Sequence, residues 1–168
     1  MRQHCIVIDA DASPSGYIAW YNHYAETSKI RTLRPAAKNE RFGVQRMELL
    51  AIYFALRDNI AYIRALQKRS VKRQLVVAVR SDSKSTVEQL RGFAEIRDAM
   101  MRRIVSVIGK LMTRLGLTTI VFDHLQRAEN IAGLMLERRR RKERERIEEA
   151  LSTRRYPVLE YPGLLYCV

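Results

Sequence analysis

Short β-branched runs dominate the first part of the chain and long runs of helix formers the rest, and this change of period sets the order of elements. His4 to Ile8 is a brief apolar run ending in acids, as a buried central strand would. Ser13-Pro14-Ser15-Gly16 supplies turn chemistry; Gly16 to Tyr24 is then aromatic and β-prone, and Thr27 to Leu33 alternates as a third strand does. So little sequence separates these runs that they predict an antiparallel meander. Pro35 to Gly43 is a polar connection, after which Val44 to Arg69 holds no Pro or Gly and predicts one long helix. Its first turns are apolar almost all round, as in a helix laid across a sheet. Gln74 to Val79 reads as a fully buried strand, and Ser81-Asp82-Ser83 both ends it and caps the next helix. Thr86 to Phe93 and Arg97 to Leu115 are predicted helices, with Gly116 as the stop. Thr118 to Asp123 is the fifth strand, and from about Glu129 the chain is helical again. A meander followed by helix-strand alternation predicts an α/β fold: a mixed five-stranded sheet, antiparallel at first and then parallel in the centre, with helices on both faces.

The bulk properties narrow the partner. The 168 residues suffice for one domain with a real core, and at 47% hydrophobic the chain is no disordered tail. Its formal charge of +13 favours a polyanion, because neutralising phosphates releases condensed counterions. Cys5 and Cys167 lie near opposite ends without ligand spacing, so a reduced, intracellular (cytoplasmic) setting is the default. The N-terminal apolar run meets acids at once, unlike a signal peptide, and no stretch is apolar enough for a membrane span. Residues 1–136 read as one domain, and residues 137–168 as a basic helix and tail continuous with it. The Arg138 to Arg146 stretch is a mixed-charge helix that can also track a phosphate backbone, and the tail Tyr156 to Val168 either folds back or meets a protein partner.

Acids occur where the surrounding pattern is apolar. Asp9 and Asp11 are two apart and share a strand face. Glu48 sits between Met47 and Leu49 in the most apolar turns of the long helix, and Asp82 follows the apolar strand QLVVAVRS. Taken singly, each has an ordinary explanation: a turn for the aspartate pair, an arginine partner for Glu48, an N-cap for Asp82. Together they form a set of carboxylates at the ends of strands, where sites form and where hard cations such as Mg²⁺ or Mn²⁺ find oxygen ligands.

IVIDADASPSG, QRMELLAIYFAL, VAVRSDSKSTVEQL and IVFDHLQRAENIAG occur in this order, and from Cys5 to Leu136 the chain resembles the ribonuclease H superfamily, including its retroelement branch. The resemblance implies the ribonuclease H-like fold and hydrolysis of a phosphodiester with two Mg²⁺ or Mn²⁺ ions. It implies Asp9 or Asp11, with Glu48 and Asp82, as ligands; Asp9 is slightly favoured, because it ends the apolar run as the family aspartate does. It implies Gln45, Ser13, Ser83 and Asn130 as substrate contacts, and His124 as a loop histidine that moves a proton.

One departure weighs against activity. Relatives place a fourth carboxylate in the last helix, where this chain has Gly133 or Leu134 depending on the alignment. Glu137, one helical turn past Gly133, is the candidate substitute, and Asp123 or Glu129 are further ones. The leading reading is therefore a metal-dependent endonuclease that cuts the RNA strand of RNA–DNA hybrids. The alternatives are a catalytically weakened module that binds nucleic acid or protein, and a nuclease of the same superfamily acting on DNA junctions or ends.

Overall fold

The computed structural model describes residues 4–33, 41–69, 75–116 and 119–153. Gln74, Thr118, most of the 35–43 connection and the Tyr156–Val168 tail, all named above, lie outside them. Five strands form one sheet in the order β3-β2-β1-β4-β5: β1 (His4–Ala12), β2 (Tyr17–Asn22), β3 (Thr27–Thr32), β4 (Leu75–Ser81) and β5 (Thr119–His124). The first three strands pair antiparallel, whereas β1–β4 and β4–β5 are parallel, so the predicted mixed sheet is present. The helices are α1 (Gly43–Arg69), α2 (Lys84–Leu90), α3 (Ala99–Leu115) and α4 (Ile131–Thr153), the last preceded by a 3-10 turn over Arg127–Glu129.

Strand alternation decides which face each residue serves. Ile6, Ile8 and Ala10 of β1, Ile18 and Trp20 of β2 and Val77 and Val79 of β4 form one core with Leu49, Ile52, Leu56 and Ile63 of α1 and Ile104 and Ile108 of α3. The residues between them point the other way. Ala19 of β2 packs there with Ala132 and Leu136 from the first turns of α4. Helices thus cover both faces of the sheet, and Asp9 and Asp11, out of phase with Ile8 and Ala10, belong to the α4 side.

Several boundaries differ from the sequence reading, each for a local reason. β1 continues to Ala12 because its antiparallel ladder with β2 runs from Ile8↔Asn22 to Ala12↔Ile18, so the two acids lie inside the strand rather than after it. α2 begins at Lys84 with Ser83, not Asp82, as its N-cap residue; the Ser83 hydroxyl meets Thr86 Oγ1 at 2.8 Å. That leaves the Asp82 carboxylate uncommitted to capping. α3 begins at Ala99 because Asp98 caps it, accepting from the Met101 N–H at 2.8 Å, and Arg46 of α1 grips the same carboxylate with two hydrogen bonds. The hydrogen bonds outweigh the cost of drying that group and hold Asp98 at about 2. Gly116 ends α3 at φ +69°, where a side chain would be strained.

By compactness the chain divides into two units, residues 1–137 and 138–168. No helix among the described residues is long and apolar enough to cross a membrane. In the first unit, Leu56 is fully buried, so Leu56→Ala leaves a cavity and is expected to cost about 2–5 kcal/mol. Leu151, 66% exposed, should tolerate alanine within about 0.5 kcal/mol. Chemical denaturation of the two variants checks both values.

Candidate metal centre

The parallel ladder between β1 and β4 ends at Asp9↔Arg80, and beyond it the two strands carry Asp11 and the residue after β4, Asp82. This is the carboxyl end of the parallel pair, where open sheets form their sites. α1 brings Glu48 to the same place. One carboxylate oxygen from each of Asp11, Glu48 and Asp82 lies within 4.8 Å of the others. Asp11 and Glu48 are buried and Asp82 half-buried.

Burial and repulsion dominate the electrostatics. Drying and then the Asp82 carboxylate push Asp11 from 3.8 up to about 7. Glu48 is driven well above its ordinary range by burial first, then by Asp11 and Asp82. Its Oε2 is buried with no hydrogen-bond partner among the described residues. A buried carboxyl oxygen without a donor, aimed among two other carboxylates, is costly as it stands. A hard divalent cation fits this donor set, since it neutralises the repulsion and coordinates the orphaned oxygen.

The sequence leaned to Asp9 as the first ligand, and the structure gives that residue different partners. Asp9 is fully buried and faces Arg80, its neighbour in the ladder, whose Nε donates to Oδ1 at 2.7 Å. Its Oδ2 accepts from the Ile131 N–H at 3.2 Å and lies 2.8 Å from His23 Nε2. That nitrogen is also 3.0 Å from an Arg80 nitrogen; it cannot donate to one and accept from the other at once, and facing a carboxylate it donates. With its charge answered by Arg80, Asp9 fixes the N-terminus of α4 onto β1 instead of joining the cluster, and Asp11 stands in the cluster in its place.

Asn130 completes that joint. It is fully buried; its amide donates to the Ala10 carbonyl at 3.2 Å and reaches Asp82 Oδ1 at 3.4 Å, while its Oδ1 accepts from the Gly133 N–H at 3.3 Å. Expected as a substrate contact, it spends its polar atoms inside the protein, because it caps α4 and braces Asp82. Glu137, expected as a substitute ligand, lies outside the cluster: its Oε1 accepts from Arg127 at 3.2 and 3.1 Å. Asp123 is tied to Arg91. Gly133, in contrast, lies against the cluster, since a Cβ there would stand 3.0 Å from Asp11 Oδ2.

The remaining expected residues sit nearby without joining the cluster. Gln45 lies three residues before Glu48 on α1, hence on a similar face. His124 ends β5 as the ladder partner of Ser81, exposed, one residue out of register with Asp82. Ser13 bonds Ser15 at 2.6 Å in the β1–β2 turn, and Ser83 is the α2 cap described above. Sequence reasoning missed Arg80, His23 and Arg127. An arginine in the otherwise apolar LVVAVRS strand was a signal for the first. Nothing in the loop marked Arg127, whose charge acts on Asp11, Glu48 and Asp82 together.

No family model matches this chain, and no curated protein does. Solved structures do match its fold. LC11-RNase H1, isolated from compost by a metagenomic approach, superposes with a TM-score of 0.56 at 18% identity over 81% of this chain and 93% of its own. The same enzyme in complex with an RNA/DNA hybrid gives 0.54 at 20%, covering 75% and 88% of the two chains. RNase H1 from the archaeon Halobacterium salinarum gives 0.55 at 19%, covering 76% and 90%.

The Asp11 shift predicts how the metal-free protein responds to pH. Folded, Asp11 keeps its proton up to about pH 7; unfolded, it releases it near 3.8. Between those values the native state binds more protons than the unfolded one, so the contribution of Asp11 to stability falls as pH rises and levels off above about 7. In chelator, the melting temperature is expected to drop by several degrees across that window, and Asp11→Asn to reduce the drop, leaving the part that the buried Glu48 contributes. Thermal melts of both proteins from about pH 4 to 8 check this; a wild-type curve flat over the window contradicts the buried, unpaired carboxylate.

Proposed function

The chain has the ribonuclease H-like fold, and from that premise we propose that it is a metal-dependent nuclease hydrolysing the RNA strand of RNA–DNA hybrids. The observation that carries the proposal is the meeting of Asp11, Glu48 and Asp82 from three separate elements, with the Glu48 oxygen buried and unpartnered. Structural proteins rarely bury like charges without a partner; catalytic sites do so routinely. The nucleic acid is supported by the +13 charge and by a fold neighbour solved with an RNA/DNA hybrid.

The residues divide the work. Asp11, Glu48 and Asp82 would hold the divalent ion, Mg²⁺ or Mn²⁺. When bound, the ion supplies charge neutralisation and Lewis acidity for displacement at phosphorus. Asn130 and the Asp9–Arg80–His23 group keep α4 seated on β1, so that Asp82 and Asp11 hold their spacing. Arg127, its side chain 70% exposed at the edge of the cluster, is placed to meet a phosphate. His124, exposed at the end of β5, is the side chain available to exchange a proton with solvent.

Outside the first unit, Arg138, Lys142 and Arg146 recur at four-residue intervals on exposed turns of α4 and make no ion pair among the described residues. Their neighbours Arg139 and Arg141 are paired with Glu143 and Glu145. The triple change of those three unpaired residues to Gln is expected to lower the salt slope of hybrid binding by roughly 2 to 3, as about 0.9 is lost per phosphate contact. Binding measured from low to moderate salt checks it, and an unchanged slope assigns the stripe to solvation alone.

A second reading has one observation in its favour. Gly133 offers no ligand where α4 meets Asp11, which fits a module that binds hybrid without cutting it. Cleavage of a labelled hybrid with Mg²⁺ or Mn²⁺ separates the two. Wild type should cut the RNA strand, whereas Asp82→Asn and the chelated enzyme should lose at least about a hundredfold, the scale on which even the outer supports of a metal ligand matter. Binding without cleavage under either metal overturns the nuclease and leaves the binding module.

A further inference from the structure

The helical layer of α1 and α3 carries cations that the protein leaves without acids. Arg57, Arg64 and Lys68 of α1 stand at i, i+7 and i+11, and Arg103, Lys110 and Arg114 of α3 repeat that spacing. At about 100° per residue, each trio lies within about 40° of one line along its helix and extends over about 16 Å. All six are exposed, and none makes an ion pair among the described residues.

The two helices lie side by side and run in the same direction. Arg46 near the start of α1 holds Asp98 at the start of α3. Near the other ends, Arg64 and Gln67 donate to the Arg114 and Leu115 carbonyls at 3.2 and 2.7 Å. Arg64 thus stands beside Arg114, with Lys68 one turn beyond it. Lys68 follows Glu48 of the acidic cluster by about 30 Å of helix.

Acids that could answer these charges are missing or already committed. α3 contains none. On α1, Glu48 belongs to the acidic cluster, and Asp58 accepts from Arg31 and Trp20. The helix dipole accounts for Lys68 and Arg114, which sit in last turns, but not for Arg57, Arg103 or Lys110. Where cations of this chain are merely solvated, on α4, Arg139 and Arg141 pair with Glu143 and Glu145 one turn on. Unanswered cations in a row repel one another and attract a polyanion, whose condensed counterions are released on contact. A bilayer fits less well, because the apolar stripes of both helices, Leu49, Ile52 and Leu56 with Ile104 and Ile108, face the core.

We infer that the α1–α3 layer is a second nucleic-acid surface, which holds the phosphate backbone away from the acidic cluster. The inference rests on the nucleic-acid part of the proposed function and not on its metal chemistry. At one phosphate per about 3.4 Å of strand, each trio spans about five nucleotides. Contacts to phosphates carry no base information, so the surface accepts any sequence, and it does so without metal.

Binding of an RNA–DNA hybrid of about 30 base pairs to the full-length protein is measured in chelator over a range of salt. One variant combines Arg57→Gln, Arg64→Gln and Lys68→Gln, and another Arg103→Gln, Lys110→Gln and Arg114→Gln; thermal melts check that both fold. Each is expected to lower the salt slope by roughly 2 to 3, at about 0.9 per phosphate contact. Arg97→Gln removes a cation already paired with Glu95 at 3.1 Å and is expected to leave the slope unchanged. A wild-type slope in either triple variant overturns the role given to that helix, and in both it overturns the inference while the nucleic-acid reading stands. An equal loss per charge in Arg97→Gln also overturns it, since the effect is then one of net charge. Failure of the wild type to bind hybrid at all overturns the nucleic-acid reading and the inference with it. Phosphatidylserine vesicles form the last arm: vesicle binding that both triple variants lose, with hybrid binding untouched, assigns the layer to a membrane surface and overturns the inference.

Discussion

Like charges held close in a dry place constrain this molecule more than any other feature. Two ionised carboxylates 4.8 Å apart repel by about 3 kcal/mol at an effective dielectric near 20, so full ionisation of three would oppose folding by about 10 kcal/mol. That is comparable with the whole stability of an ordinary domain. The protein therefore either keeps protons on the cluster or supplies cations to it. The rise of Asp11 to about 7 records the first option, and Arg127 and the fit to a divalent ion represent the second.

Placing such a cluster requires a frame that does not yield to its repulsion, and the joint between β1 and α4 is built for this. Asp9 is as deeply buried as any core residue, yet it is answered on every side: Arg80 from the neighbouring strand, His23 from beyond the end of β2, and the first N–H of α4. Asn130 adds a second tie from the same helix to the Ala10 carbonyl. Two aspartates on one face of one strand thus have opposite roles. The satisfied one fixes the helix, and the unsatisfied one stands in the acidic cluster.

Much of this was legible in the sequence, and the rest was hidden for identifiable reasons. Periodicity was enough for the strand order and the long helix, because Ile6, Ile8, Val77 and Val79 alternate and Leu49, Ile52 and Leu56 recur at helical spacing. It also singled out Glu48 and Asp82, since acids embedded in apolar runs stand out. It could not separate Asp9 from Asp11. Both have the same phase, and what distinguishes them is the ladder register that sets Arg80 beside Asp9, together with a helix more than a hundred residues away. Glu137 looked available for the opposite reason: helical spacing placed it near Gly133, but the partner that removes it, Arg127, lies in a short 3-10 turn that periodicity does not reveal.

Gly133 is where these constraints converge. Its missing side chain reads in one dimension as a lost ligand, and so as a lost function. In three dimensions it is the point at which α4 closes on β1, near enough that a methyl group would touch the Asp11 carboxylate. A centre that had simply lost a ligand should leave a hole, with its remaining acids drifting towards solvent. Here the α4 backbone at Gly133 stands against Asp11, Asp11 and Glu48 are buried, and an arginine adds charge to the site from outside. Three acids remain paired against each other at considerable cost. Any neutral residue at Asp11 or Glu48 would relieve that cost, which a hard cation held by the three carboxylates would offset.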